Sequence, residues 1–368
     1  MLVASVEAGP LRSLTGMRVE MEGGIVSLVG PNGAGKTNFL EALYFALTGR
    51  SFRSADRRDL IPFGGSFARA EALVRDEDGT ERALLASVSR AEGRRHLLDG
   101  SPADPATIAR HRPPVAVFSP DRLSLVKGPP AERRAHLDGF IAARWPSRSG
   151  LRQRYGQALA QRNALLSRLA AGRGGAAELD VWDATVAEAA EALIAARSEA
   201  VEELATPFAS AAEELGLEDG GSIEYAPRAE PGSAEELRRG LAERREADLG
   251  LGRSSWGPHL DELKVSTGSS RRRSLRRFGS QGEQRAALLA LLFAERDALM
   301  RARRVTPLLL LDDVMSELDP SRRERLVERL GQGGQALITA ADAGSVPAAA
   351  RKTVVRMPPS RDDLAEAA

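Results

Sequence analysis

The sequence predicts an α/β protein whose head is built in two lobes, with a helical domain inserted between them along the chain. Three observations predict this. A glycine-rich loop, Gly30–Thr37, follows the apolar run Ile25–Val29. A second apolar run, Leu308–Leu311, ends in two carboxylates, Asp312 and Asp313. Between these runs lies a long stretch rich in Ala, Glu, Arg and Leu with helical spacing. The expected boundaries are 1–121 for the first lobe, 122–250 for the helical insertion and 251–368 for the second lobe.

At 368 residues the chain exceeds one ordinary core. Its 42% apolar and 28% charged content is a globular balance. With a net charge of +1, a nucleic-acid partner must meet local rather than global positive charge. The chain has no cysteine, which excludes disulfides and thiol chemistry and is compatible with the expected cytoplasmic location. Apolar runs such as Ala286–Ala294 and Val305–Leu311 fall far below the ~18 residues that span a bilayer. The N-terminus lacks a basic stretch followed by an apolar one, so neither a signal peptide nor a membrane partner is expected. Only four lysines occur among 52 basic residues: Lys36, Lys127, Lys264 and Lys352. Lysine surviving such a bias towards arginine points to places that a guanidinium does not fit, and Lys36 is the clearest case.

In chain order, Ile25–Val29 reads as a buried strand and Asn38–Leu47 as a helix. Ala70–Val74 and Arg82–Val88 read as strands joined through the turn Asp78-Gly79, and Asp99-Gly100 marks another turn. In the middle, Arg152–Ala171 and Glu178–Leu204 form an antiparallel helical pair broken at Gly172–Gly175. Ser222 to Pro231 is turn-like, and Ala234–Glu246 is helical. In the last third, Gln284–Arg301 and Ser321–Leu330 are helices, while Leu308–Leu311 and Ala336–Thr339 are buried strands.

The loop Gly30-Pro31-Asn32-Gly33-Ala34-Gly35-Lys36-Thr37 fits G-x-x-x-x-G-K-T. Its glycines let backbone N–H groups turn inward around phosphate oxygens. The helix that follows adds a positive N-terminus of roughly half a charge. Lys36 reaches the terminal phosphates, the Thr37 hydroxyl is placed for Mg²⁺, and Asn38 completes the nucleotide-binding set. ATP and Mg²⁺ are therefore the expected cofactors. Asp312 closes a buried strand, the position that a Mg²⁺–phosphate site needs, and is assigned to the metal through water. Asp313 is placed to polarise the attacking water. Lys36, Asp312 and Asp313 form the expected catalytic set. No lysine sits in an Asn-Lys-x-Asp guanine reader, and 275 positions separate Thr37 from Asp312, where a compact GTPase would keep the two motifs much closer, so guanine specificity is not expected.

Ser280-Gln281-Gly282-Glu283-Gln284 opens the helix that leads to the carboxylate strand. As local chemistry it is a capping box, with Ser280 at the N-cap and Glu283 at N3. As function it is an ABC-type signature, in which Ser280 and Gly282 face the γ-phosphate held by another subunit. The two readings are compatible, because a helix N-terminus suits an anion. Ser316-Glu317-Leu318-Asp319 then stands where such ATPases carry a loop that crosses their dimer.

These residues resemble the RecF family of bacterial recombinational-repair proteins, relatives of the SMC-type ABC ATPases, over nearly the whole chain. The segments that single out the family are Pro120-Asp121, Val126-Lys127-Gly128, Arg133-Arg134 and Leu137-Asp138. Gln161-Arg162-Asn163 and Gly257-Pro258-His259 with Asp261 join them. Arg12-Ser13 resembles the family's Arg-Asn pair and enters the nucleotide-binding set on that basis. Pro129 and His136 depart from it locally. Against ABC proteins generally, no glutamine precedes Gln153, so the Q-loop ligand is missing, and Ser119 and Asp121 are the candidates for its place. Thr339-Ala340-Ala341 stands where a switch histidine is usual, and Asp313 replaces the catalytic glutamate. Removing a positioned group typically costs ~10²-fold or more, so slow hydrolysis is expected.

The resemblance implies an ATP-dependent DNA binder acting at single-strand gaps, on duplex and on single-strand/duplex junctions. It implies RecO and RecR as partners in loading RecA. It also implies an ATP-induced head-to-head homodimer, released by a weak, DNA-stimulated ATPase. Candidate DNA contacts are Arg271, Arg272, Arg273, Arg276 and Arg277, then Arg50, Arg53, Arg57 and Arg58. For each cluster a solvated charge run in an arginine-rich chain is the first reading and DNA contact the second. Arg133-Arg134 are expected in internal ion pairs, His259 in a structural role, and Trp145, Trp182 and Trp256 in core or interface. Two alternatives make other demands. A transporter motor subunit needs the Q-loop glutamine and switch histidine. An SMC-like structural ATPase needs a long coiled coil, and the helical middle is too short and interrupted.

Overall fold

The computed structural model describes residues 1–358 except 22, 55, 174, 176, 218, 219, 269–271, 304, 305 and 317; the side chains of Asp121 and Arg303 are also outside the description. The chain forms two compact units, one of residues 1–122 with 299–368 and one of Leu123–Ala298. Segment 251–298, expected with the last lobe, thus packs within the second unit. Arg271, Glu317 and the side chain of Asp121, all named from the sequence, lie outside the described residues.

The first unit holds two sheets. Five parallel strands run in the order Thr353–Arg356, Gly24–Val29, Gln335–Ala340, Leu308–Leu311 and Val115–Phe118. Their continuous apolar character marks a parallel sheet covered on both faces. A six-stranded antiparallel sheet begins with Met17–Glu20 and Leu2–Ala8 and continues through Phe67–Arg75 and Glu81–Ser89. Strand Phe67–Arg75 alternates buried and exposed residues, as a sheet with one solvated face does. Helix Lys36–Thr48 packs against both sheets, and Phe39, Leu40, Leu43 and Phe45 enter one core with strand residues from each. Gln335 pins the sheets together: its amide accepts from the Val3 N–H at 2.9 Å and donates to the Val3 carbonyl at 2.7 Å.

The second unit centres on the helices Leu151–Ala170 and Glu178–Glu214. Ion pairs Arg162–Asp183 and Arg148–Glu199 lie symmetrically about the intervening turn, so the pair is antiparallel. The second helix does not stop at Leu204; it continues through Pro207 to Glu214. An interior proline costs about 3 kcal/mol. Phe208, Ala211 and Ala212 are fully buried beyond it, and a buried phenylalanine alone recovers about 1.5–3 kcal/mol. The stretch expected to be turn-like, Ser222 to Pro231, instead contains strand Gly221–Ala226, paired antiparallel with Glu262–Thr267. Gly221 allows the close approach, since a Cβ there would stand 2.5 Å from the Ala212 Cβ. The helix expected over Ala234–Glu246 is two, Ala234–Glu243 and Arg245–Leu251. No helix among the described residues is long and apolar enough to cross a membrane.

Candidate nucleotide site

The glycine-rich loop joins strand Gly24–Val29 to helix Lys36–Thr48. Gly33 and Gly35 adopt φ of +85° and +89°, the left-handed region that glycine enters without strain. No side chain caps the helix and its first turn holds no acid, which leaves its first N–H groups for an anion. Pro31, Asn32 and Gly33 form an exposed tip, and Ala34 beneath them is buried. Gly30 is pressed against Met357, whose carbonyl would lie 3.0 Å from an added Cβ. The Lys36 ammonium donates to the carbonyls of Gly30 and Pro31 at 2.6 and 2.8 Å. Burial lowers its pKa, while Asp313 and Asp312 act the other way.

The parallel order of the sheet brings the carboxylates to this loop. Asp312 extends the ladder, its N–H bonding the Phe118 carbonyl at 2.8 Å. Its carboxylate accepts the Thr37 hydroxyl at 3.0 and 2.9 Å and the Thr339 hydroxyl at 2.8 Å. The Thr339 oxygen in turn accepts the Asp313 N–H at 2.8 Å. Thr339 entered the sequence reasoning only as the neighbourhood of a missing histidine; here it holds both aspartates in place. Asp313 takes φ of +50°, uncommon for a residue with a Cβ. Burial pushes the Asp312 carboxyl above the ordinary range, and the hydroxyls of Thr339 and Thr37 pull it back.

The donor set suits Mg²⁺. A carboxylate and a hydroxyl, both hard oxygen donors, converge within 3.0 Å at the mouth of the phosphate loop. Beside them, on the next strand, Ser119 follows Phe118. It is 2% exposed, and its hydroxyl has no hydrogen-bond partner among the described residues. Of the two Q-loop substitutes named from the sequence, Ser119 is the one whose side chain is described.

Arg12 and Ser13 reach the same helix. The Arg12 guanidinium pairs with both oxygens of fully buried Glu41. Asn38 donates to the Ser13 hydroxyl at 2.8 Å and accepts from Arg53 at 3.0 Å. Arg53, a DNA candidate by sequence, is thus tied to the helix that follows the glycine-rich loop. In the same cluster Arg58 pairs with Asp56. Glu41 was not singled out from the sequence; a carboxylate in the middle of an amphipathic helix carries no signal of its own.

In the second unit, Ser280 is the exposed N-cap of helix Gln281–Arg303. Its N–H bonds the Glu283 carboxylate at 2.7 Å and its oxygen accepts the Glu283 N–H at 3.2 Å, a full capping box. Gly282 lies in the first turn of that helix. The remaining oxygen of Glu283 takes Arg273.

The other singled-out residues of this unit form a buried polar framework. Fully buried Arg162 pairs with Asp183 at 2.6 Å and Asp248 at 2.7 Å, and Asn163 accepts the Ser254 N–H at 2.8 Å. Arg197 joins Asp138 at 2.8 Å to Asp261 at 2.9 Å. Arg133 pairs with Glu262 at 2.6 Å and Arg134 donates to the Asp261 carbonyl at 2.7 Å. His259 accepts the Tyr155 hydroxyl at 2.7 Å on Nδ1, and its Nε2–H faces the Ser254 carbonyl at 3.3 Å. His136 meets Glu295 at 2.6 Å. Trp145 lies under Arg144 and Arg148, Trp256 under Arg244, and Trp182 packs on the Leu165–Leu166–Leu179 cluster.

Comparison with known proteins gives one consistent likeness. The RecF/RecN/SMC N-terminal domain profile matches residues 2–363. The DNA replication and repair protein RecF of Streptomyces avermitilis is 37% identical over 367 residues, covering 94% of this chain and 95% of its own. That of Heliobacterium modesticaldum is 34% identical over 346 residues, covering 90% and 89%. Among solved structures, the recombination mediator protein RecF of the RecFOR pathway with ATP superposes with a TM-score of 0.83 at 27% identity, covering 94% and 93%.

Proposed function

The chain belongs to the RecF family, and from that membership and the geometry of its site we propose that it is an ATP-gated DNA-binding protein of recombinational repair. The observation that carries this reading is the constellation of Lys36, Thr37 and Asp312 at one loop, with Thr339 and Asp313 behind it. ATP is the ligand, its phosphates taken by the uncapped N-terminus of helix Lys36–Thr48 and by Lys36 once that ammonium leaves its two loop carbonyls. Gly30 to Gly35 form the cradle, and Arg12, Ser13 and Asn38 flank it. Thr37 and Asp312 hold Mg²⁺, which when bound neutralises the charge gathering on the phosphates. Asp313 orients water, and its shorter reach, with no switch histidine at Thr339, makes hydrolysis slow.

Ser280 supports a site completed by a second copy. It is exposed, it caps a helix of the second unit, and its printed bonds stay within its own turn. In the proposed dimer, Ser280 and Gly282 of one copy meet the γ-phosphate held by the loop of the other, and Glu283 keeps the cap in shape. Hydrolysis then releases the dimer. A solved relative named as the recombination mediator RecF of the RecFOR pathway supports RecO and RecR as partners, and relatives named for DNA replication and repair support DNA as the ligand. Action at gaps and junctions, RecA loading as the outcome and the cytoplasm as the location belong to the same proposal. Along the chain the proposed segments are 1–121, 122–250 and 251–368; the signature lies in the last of these, in the part, 251–298, that packs with the second compact unit.

Sedimentation tests this reading. Lys36→Met abolishes ATP binding and the dimer together, whereas Ser280→Arg keeps ATP binding and loses only the dimer. An ATP-induced dimer of the Ser280→Arg protein would refute the composite site.

A further inference from the structure

Just before the signature serine, the second unit carries a groove of about 890 Å³ between strand Glu262–Thr267 and the segment Arg272–Phe278. Its walls include Lys264, Arg272, Arg273, Arg276, Arg277 and the ring of Phe278. The cations outnumber their partners. Glu224 is shared by Lys264 at 2.9 Å and Arg272 at 3.3 Å. Glu262 is already held by buried Arg133, and Arg276 reaches it only at 3.9 Å. Arg277 has no ion pair among the described residues. Six cations, counting Arg133, therefore face three carboxylates, Glu224, Glu262 and Glu283, in a chain whose net charge is only +1.

Phe278 is a second, independent feature. It is 63% exposed, a large ring left in water beside guanidinium groups. Arginine forks bind phosphodiester oxygens, and an exposed aromatic ring offers a face to an unstacked base. A protein or lipid partner would not call for that combination of excess fork-shaped cations and one isolated flat ring.

We propose that this groove binds the backbone of a DNA strand, with an unpaired base laid against Phe278, so that the second unit reads the single-stranded side of a junction. The proposal rests on the DNA-binding reading above and names its site. The groove also touches the signature. Arg273 donates to the Phe278 carbonyl at 2.7 Å and binds the Glu283 oxygen that the capping box leaves over. A phosphate drawing on Arg273 competes with Glu283, and Glu283 shapes the turn that presents Ser280. Strand binding and signature geometry therefore share one arginine.

The test uses the full-length chain, with ATP, on labelled single-strand, duplex and gapped oligonucleotides at two or more salt concentrations. Arg276→Ala/Arg277→Ala is expected to weaken all three by about tenfold or more and to lower the salt slope by roughly 2. Phe278→Ala is expected to weaken the single-strand and gapped substrates by about tenfold and to leave the duplex unchanged. ATP-driven dimerisation of each variant serves as the check on folding. Wild-type binding with an unaltered double variant overturns the groove while the DNA reading stands. A Phe278→Ala loss equal on all three substrates overturns the junction assignment. A wild-type protein that binds none of the oligonucleotides removes the DNA reading and the groove with it.

Discussion

At the residue scale, Asp312 carries the conflict that makes a binding site. Its carboxyl is buried and pushed above the ordinary range, held by two hydroxyls and no direct cation. An acid whose pKa is raised on folding is destabilising when ionised. Its contribution to stability is complete below the ordinary carboxylate range and is lost as pH rises from that range through the raised value of the folded state. Asp312→Asn, which keeps the shape and removes the charge, should therefore raise or maintain the melting temperature of the nucleotide-free protein at pH 7. It should also flatten that pH dependence and weaken Mg²⁺-dependent ATP binding by on the order of 10²-fold. Calorimetry with and without nucleotide checks both parts, and a variant that is less stable without nucleotide yet binds as well would contradict them. Lys36, Thr37 and Asp312 were legible in the sequence because each closes a short local pattern. Thr339 and Ser119 were not legible as parts of one place. Strand register alone brings Thr339 to Asp312, and the pairing of Leu311 with Phe118 sets Ser119 on the strand beside it.

At the element scale, the residues that singled out the family belong mainly to the packing of the second unit. Arg162 is satisfied by Asp183 and Asp248, and Arg197 by Asp138 and Asp261, and such buried pairs are costly to break singly. His259 belongs to the same framework. Burial lowers its pKa, partly offset by the Ser254 carbonyl, so the fold holds the neutral ring. The unfolded chain takes up a proton as pH falls through ~6.5, and the folded chain does so only at lower pH. Stability contributed by neutral His259 is therefore present above that value and lost as pH falls below it. His259→Gln can accept from Tyr155 and donate to Ser254, so its unfolding midpoint in urea should decline less than the wild type's between pH 7 and pH 5. An equal decline in both would show that the ring is not the titrating group. Buried His96 in the first unit responds in the same direction and leaves a residual slope. Helix Leu151–Ala170 was legible in the sequence from its period. Strand Gly221–Ala226 was not, because its glycine start and polar content resemble a turn until Glu262–Thr267 pairs with it. Helix Glu178–Glu214 overran its expected end because burial of Phe208 offsets Pro207.

At the scale of the whole molecule, the chain is divided so that the loop that would hold ATP and the serine that would complete the site lie in different compact units. A ligand that binds the assembled form more tightly than the free chain stabilises assembly by mass action. This predicts complementation between two inactive proteins. Lys36→Met retains an intact Ser280 and loses its loop, whereas Ser280→Arg retains its loop and loses the signature. In a mixed dimer one composite site is whole, built from the loop of the Ser280→Arg copy and the signature of the Lys36→Met copy, and the other site is doubly damaged. Each protein alone should release phosphate from ATP at background, and an equal mixture should regain a measurable part of the wild-type rate, rising with total protein concentration. A site completed within one chain gives no such recovery, because neither chain carries both intact halves. A mixture no faster than the sum of its parts would therefore place Ser280 outside the partner's nucleotide site and return it to the role of a helix cap.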